Sequence, residues 1–399
     1  MNNQNGNFIK IINTALTGNI HQLDAPDSGE LIKLAREQGV SPIFLEGIVK
    51  YDFFNAVPAD VRAELIRTAS STVAVQTQRT AEFCFLYEQF LEAGLKPVIL
   101  KGLVCRLNYG KLENSRGSGD EDVFIRKEDF ETYNSILKAN GFYPHTDDIS
   151  DKLLENIHTV NYKSDNSSLM IELHLDLVNR TKKFLNVIND MLLEGTKDII
   201  SFEYNNKEYY TLPYTYNYIY LFFHYYKHFC STGAGIRHIM DIALFAEKNK
   251  DKIDFKLAES KIFEYASPAL YADTLAIAAR LGFPVFTEEK IQNPDLLLDD
   301  LLDGGTFGFD DPEKMYGASY KALKARNVKF AFLRAVFLPF RTMANYYTEL
   351  YDKPYKLPYY YIKRIFDYFS RRRNKAFEKT MFKSGKSRID LIKGYNKKK

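Results

Sequence analysis

The chain has 399 residues, of which 45% are hydrophobic and 15% aromatic, with 30 Phe, 28 Tyr and no Trp. Such a composition can bury a large core in two or three structural units, and it excludes a disordered or collagen-like polymer. Cys84, Cys105 and Cys230 are odd in number and widely spaced, so neither a disulfide framework nor a zinc ligand set is expected. The net charge of +3 is unevenly spread: from Tyr355 onward fifteen Lys or Arg stand against three Asp or Glu, so this segment carries +12 and the remainder −9. Met1 to Asn7 lacks the basic and apolar regions of a secretory signal, and no apolar run reaches the roughly 18 residues of a membrane span. The expectation is a cytoplasmic protein, soluble or peripheral at the inner face of the membrane.

In chain order, residues 8 to 92 read as packed helices, with periodic apolar positions at Leu31-Ile32-Lys33-Leu34-Ala35 and a long helix from Ala59 to Leu91. Gly94-Leu95-Lys96-Pro97 stops that helix and releases a short strand, Val98-Ile99-Leu100, into Lys101-Gly102 and a helix ending near Tyr109-Gly110. A strand from Asp122 to Ile125 and a helix from Lys127 to Asn140 follow. Residues 158 to 162 and 169 to 177, separated by Ser164-Asp165-Asn166-Ser167-Ser168, suggest a hairpin whose second strand places Glu172, His174 and Asp176 on one face. A second hairpin is expected at Ser201 to Leu212 around Asn205-Asn206. Pro213 then opens an aromatic helix from Tyr214 to Phe229, and helices resume from Ile236 to Asn249 and over 252 to 283. Residues 284 to 325, with Asp299-Asp300 and Asp303-Gly304-Gly305, read as loop-rich and exposed.

The chemistry-bearing segment is Asn114-Ser115-Arg116-Gly117-Ser118-Gly119-Asp120-Glu121-Asp122-Val123-Phe124-Ile125. Side chains at i and i+2 of a strand share a face, so Asp120 and Asp122 point together and Glu121 points away. Glu172, in Ile171-Glu172-Leu173-His174, is positioned to add a third carboxylate. Carboxylates crowded together raise one another's pKa unless a cation compensates, and hard oxygen ligands suit Mg²⁺ or Mn²⁺.

Leu100-Lys101-Gly102, Tyr109, Arg116, Asp120-x-Asp122 and Glu172-Leu-His174 resemble the bacterial uncharacterised nucleotidyltransferases of the DNA polymerase β-type superfamily, over about residues 30 to 250. That superfamily commonly places Gly-Gly or Gly-Ser on the loop after the first strand, where Lys101-Gly102 stands here. The resemblance implies an α+β fold, a small mixed β-sheet core of the polymerase β type with extensive flanking helices. Four regions are expected: an N-terminal helical region (1–92), the nucleotidyltransferase core (93–212), a C-terminal helical region (213–350) and a basic aromatic tail (351–399).

The activity it implies is transfer of a nucleoside monophosphate from an NTP to an acceptor, with Asp120, Asp122 and Glu172 catalytic and holding Mg²⁺ or Mn²⁺. Lys101 and Gly102 are candidates for holding phosphate at the following helix N-terminus, although Lys101 also suits packing beside the sheet. Arg116 either neutralises the leaving pyrophosphate or pairs with Asp120. His174 either contacts substrate and positions Glu172, or is structural.

His224 and His228 have metal-ligand spacing but no intervening Glu of a zincin motif. With Arg237 and Asp241 they fall within the resemblance, which suggests a helical wall over nucleotide or acceptor. A sugar or sugar-phosphate acceptor is consistent with the family's association with surface polysaccharide pathways, but no residue specifies one. Alternatives are a catalytically inactive binding protein on the same fold and an RNA-directed transferase using the tail, although nothing in the residues specifies nucleic acid. The tail's Arg371-Arg372-Arg373 and Lys397-Lys398-Lys399 suit a polyanion or membrane contact; a solvated end is equally consistent. The aromatic and basic stretch from Phe330 to Phe369 suits either a membrane interface or a buried aromatic core.

Overall fold

The structure is a computed structural model and describes residues 3–145, 149–178, 180, 183–230, 233–284, 287–305, 337–371 and 391–395. It opens with four helices, α1 (Asn3–Thr17), α2 (Ser28–Glu37), α3 (Ser41–Ile48) and α4 (Ala59–Glu92). The Asp27 carboxylate caps α2 by accepting the Gly29 and Glu30 N–H groups, satisfying donors that lack intrahelical partners. α1 and α3 approach closely because position 47 is glycine: a Cβ there would sit 2.2 Å from the Ile11 carbonyl oxygen.

The sheet follows. Its strands are β1 (Val98–Ile99), β2 (Asp120–Phe124), β3 (Tyr143–Pro144), β4 (Thr159–Lys163), β5 (Met170–His174), β6 (Ile200–Tyr204) and β7 (Lys207–Thr211), in the order β3-β4-β5-β2-β1-β7-β6. β2 is parallel to β5 and antiparallel to β1, while β1 is parallel to β7. Interleaved are α5 (Leu103–Leu107), α6 (Phe130–Ala139), α7 (Asp151–Leu154) and α8 (Lys183–Glu194). The β6–β7 hairpin turns at Asn205 and Asn206, both with positive φ, as a two-residue hairpin loop of this kind requires.

Beyond the sheet come α9 (Tyr214–Cys230), α10 (Ile236–Lys248), α11 (Phe255–Phe263), α12 (Pro268–Arg280), α13 (Pro294–Gly304), α14 (Phe340–Tyr346) and α15 (Leu357–Arg371). The architecture is thus mixed α/β, a seven-stranded mixed sheet among many helices. One apolar cluster runs from Phe8 through Val123, Leu173 and Phe222 to Leu302 and takes in Tyr395. Leu153, Met343, Ala344, Leu350, Tyr351 and Tyr360 form a smaller one.

Three sequence expectations change. The loop expected after residue 284 contains α13, whose Leu297, Leu298, Leu301 and Leu302 are buried; the intervening Asp299 and Asp300 are half-buried, and Asp299 accepts a hydrogen bond from Asn5 of α1. The second strand of the first hairpin ends at His174, so Asp176 leaves the shared face and binds Asn189 and Arg180. Near the C-terminus Tyr395 is buried and donates to Asp273 Oδ2 at 2.7 Å, so a fully solvated end does not hold for that residue. Arg372, Arg373 and Lys397 to Lys399 lie outside the described residues, as do residues 330 to 336 of the aromatic stretch.

Candidate active site

Strand register assembles the acidic group. In the parallel β2–β5 pair, Asp122 stands opposite Glu172 and Phe124 opposite His174; residues opposed in neighbouring strands face the same side. His174 Nε2 lies 3.0 Å from Asp122 Oδ1 and 3.6 Å from Glu172 Oε2, and its Nδ1 is 3.3 Å from the Asp176 carbonyl oxygen. Both ring nitrogens therefore face acceptors, the arrangement of a doubly protonated imidazole. Although burial opposes the charge, hydrogen bonds to Asp122 and Glu172 raise the His174 pKa to about 9.

Asp122 is buried, which disfavours its charge, but Lys101 first and His174 next hold it below the usual carboxylate range. Lys101 reaches it from the adjoining strand end: the Leu100 N–H donates to the Asp122 carbonyl at 2.9 Å, and Lys101 Nζ lies 3.8 Å from Asp122 Oδ2. Asp120, two residues earlier on the same face, has its pKa raised by burial and then by Asp122.

Asp122, Glu172 and His174 each offer a ligand atom within 4.8 Å of the others, and the buried Asp122 Oδ2 has no hydrogen-bond partner. With the His174 nitrogens protonated toward their acceptors, the available ligands are oxygens, and an orphaned buried Asp122 oxygen beside the Glu172 carboxylate fits a divalent cation.

The opposite face of β2 is occupied differently. Glu121 lies under α5, with Oε1 2.5 Å from Arg106 Nη1 and Oε2 accepting the Leu103 N–H at 3.0 Å. A Cβ at position 102 would fall 1.9 Å from that Oε2, and Gly102 has φ 55° and ψ −112°. Glycine is needed there because the Glu121 carboxylate presses on it and the backbone lies where L side chains are strained. The first donor of the short α5 is thus taken by an internal acid.

Arg116 and Asp241 meet neither an open cleft nor Asp120. Arg116 is 1% exposed and grips Asp241 through Nε at 2.8 Å and Nη2 at 2.6 Å, and Tyr109 donates to the same carboxylate at 2.9 Å. Burial would raise the Asp241 pKa, but Arg116 lowers it below its ordinary value. The partner of Arg116 is thus Asp241 rather than the expected Asp120, and the pair forms a buried fork pinning α10 to the loop before β2.

Helices α9 and α10 face the carboxylates. His224 Nε2 is 3.4 Å from Lys101 Nζ, so the imidazole accepts and is neutral; burial and then Lys101 hold its pKa well below the ordinary value. Its ring centroid is 4.7 Å from that of His228 and 5.6 Å from that of His238. Burial, then Lys227 and Lys101, lower His228 to about 3. These three histidines also have ligand atoms within 4.8 Å of one another. The neighbouring Lys101 and Lys227 amines oppose a divalent ion among these neutral rings, whereas at Asp122 and Glu172 the same amines face carboxylates whose negative charge favours the ion.

Arg237 Nη1 donates to the Gly117 carbonyl at 2.6 Å, and its guanidinium acts on Asp120. Sequence reasoning passed over Lys227, His238 and Tyr220. Lys227 is influenced most by burial and next by Asp122 and Glu172. The Tyr220 hydroxyl is buried without a hydrogen-bond partner, its pKa raised by burial and then by Asp122. The spacing of Tyr220, His224 and Lys227, at i, i+4 and i+7 of one helix, was a usable signal that they share a face.

Among the described residues no helix is long and apolar enough to cross a membrane. Searches of curated proteins and of solved structures each give no match. Residues 24–282, more than half the chain, match the family described as uncharacterised nucleotidyltransferase, and the chain belongs to that family.

Proposed function

We propose that the protein is a metal-dependent nucleotidyltransferase that moves a nucleoside monophosphate from an NTP to an acceptor hydroxyl, on a core of the polymerase β type. The observation carrying this reading is the Asp122–Glu172 register, which places an orphaned buried carboxylate oxygen beside a second acid. Asp122 and Glu172, with Asp120 beside them, would hold Mg²⁺ or Mn²⁺, which supplies charge neutralisation to the triphosphate and acidifies an acceptor hydroxyl. Lys101 keeps Asp122 ionised and adds positive charge near the reacting phosphate. His174 orients the Asp122 and Glu172 carboxylates. The Arg116–Asp241 fork fixes α10 against the strand carrying Asp120.

The test is NTP consumption and pyrophosphate release by Asp122→Asn, with each of the four NTPs and either metal. Loss of turnover with the fold retained supports the assignment, and unchanged turnover refutes it. A sugar or sugar-phosphate acceptor remains part of the proposal and is read out in the same assay as acceptor-dependent pyrophosphate release.

A second reading concerns location. Tyr355, Tyr359, Ile362 and Phe366 are each more than half exposed, at helical spacing along and just before α15, beside Lys363 and Arg364. Aromatic and aliphatic groups flanked by cations suit an anionic membrane surface. Co-sedimentation with phosphatidylglycerol vesicles, lost in Ile362→Glu/Phe366→Glu, would support peripheral attachment at the inner face of the membrane; binding unchanged in that variant would refute it.

A further inference from the structure

The positive groups beside the carboxylates are arranged on a face of their own. Lys101 Nζ stands between Asp122 Oδ2, at 3.8 Å, and His224 Nε2, at 3.4 Å. Lys227, one turn beyond His224, acts on Asp122, Glu172 and Asp120, and Arg237 acts on Asp120 from α10 while bonded to Gly117. Behind them His224, His228 and His238 form a cluster with ring centroids 4.7, 5.6 and 5.2 Å apart. Cations and neutral N–H donors drawn together on one wall suit an oxyanion of high charge.

The usual alternative place for such an anion is closed. The turn after β1 leads into α5, only five residues long, and the Glu121 carboxylate both covers Gly102 and accepts the Leu103 N–H. A phosphate brought there would meet an acid at van der Waals distance.

We propose that the α9–α10 wall, made by Lys227, His228, His238 and Arg237 with Lys101, is the polyphosphate subsite, replacing the glycine turn after the first strand. The assignment rests on the nucleotidyltransferase reading and specifies where the donor's β- and γ-phosphates lie. It carries a consequence for binding. A divalent ion alone enters a site bordered by fixed cations, and a polyphosphate alone enters one bordered by three carboxylates, so each strengthens the other's binding.

Calorimetric titration with pyrophosphate, which has no base or sugar, isolates this subsite. Native protein should bind it more tightly with Mg²⁺ than without. Lys227→Met should weaken Mg²⁺-dependent binding about tenfold or more and His228→Gln by a smaller factor, as expected for loss of charge-assisted and neutral hydrogen bonds. Lys227→Arg, which keeps the charge, should retain binding within about threefold. Lys111→Ala, exposed and distant in role, should match the native protein, and circular dichroism checks the fold of each variant.

Native affinity in both Lys227→Met and His228→Gln would overturn the placement while leaving the nucleotidyltransferase reading intact, provided NTPs still bind. If native protein binds neither pyrophosphate nor any NTP, that reading fails and the subsite with it. Should Lys227→Met not fold, His228→Gln alone decides: undiminished pyrophosphate binding there overturns the assignment.

Discussion

The Arg116–Asp241 fork and the Asp122–Glu172 group are both buried assemblies of charge beside the same strand, yet they are completed to different degrees. Asp241 receives two bonds from Arg116 and one from Tyr109, three charged or hydroxyl donors for one carboxylate. Asp122 has His174 on one oxygen, but its other oxygen is buried with no hydrogen bond, and Lys101 approaches only to 3.8 Å. Residue type does not separate a structural ion pair from a reactive centre, since both use acids and bases at similar burial. The state of the carboxylate does: both oxygens of Asp241 are bonded, although Arg116 Nη1 is itself buried without a hydrogen-bond partner, whereas Asp122 keeps one oxygen with bonding capacity for a ligand.

The difference is breakable by mutation, because the unfinished group should control turnover and the finished one stability. The largest effect expected is on turnover: Asp122→Asn should lower NTP consumption by about 10³-fold, equivalent to about 4 kcal/mol of barrier, in steady-state pyrophosphate release. Asp241→Ala should cost about 3–5 kcal/mol in urea unfolding, since it strands Arg116 as a buried unpaired charge. Comparable destabilisation by Asp122→Asn would erase the distinction.

Gly102→Ala sharpens the role of the far face. The strained backbone alone should cost about 1–3 kcal/mol, with more from the clash against Glu121, and urea midpoints would show it. A neutral outcome would mean that the turn is free to receive a ligand after all.

Acid should distinguish the two regions as well. Asp241 has a folded pKa below its unfolded value, so its contribution is fully present above about pH 4 and is lost as pH falls through the folded value. His158 is held at about 3 by burial and then by His174; as a depressed histidine it contributes stability fully present above about pH 6.5 and progressively lost down to about pH 3. Stability followed by urea midpoint should therefore decline in two stages, the first shared by His158 with the similarly depressed His224, His228 and His238, and His158→Gln should lessen the slope of that stage without removing it. The smallest effect is expected at the C-terminus, where Tyr395→Phe removes the bond to Asp273 and should cost about 1 kcal/mol.

Much of the local structure was legible in the sequence because it rests on local signals. The helix expected from Ala59 to Leu91 spans Ala59–Glu92, and the Asn205-Asn206 turn sits where the hairpin was expected. The strand alternation of Asp120, Glu121 and Asp122 was equally readable, and Glu121 does turn to the opposite side to meet Arg106. Pairings across long separations were not. Arg116 and Asp241 lie 125 positions apart, and nothing near either residue names its partner. His238 joins His224 and His228 only because α10 packs back on α9, and α13 escaped notice because its acids interrupt an apolar period that is clear once the buried leucines are known. Local chemistry was thus easier to read than the tertiary contacts that decide which charges are left unfinished.

Thermal unfolding with each of the four NTPs, with and without Mn²⁺, in the native protein and in Asp120→Asn/Asp122→Asn, tests the central claim most directly. Ligand at about 100 times Kd should add about 2.7 kcal/mol, a metal-dependent stabilisation present in the native protein and absent from the double variant. Equal stabilisation of both proteins, or none with any NTP, would contradict the account.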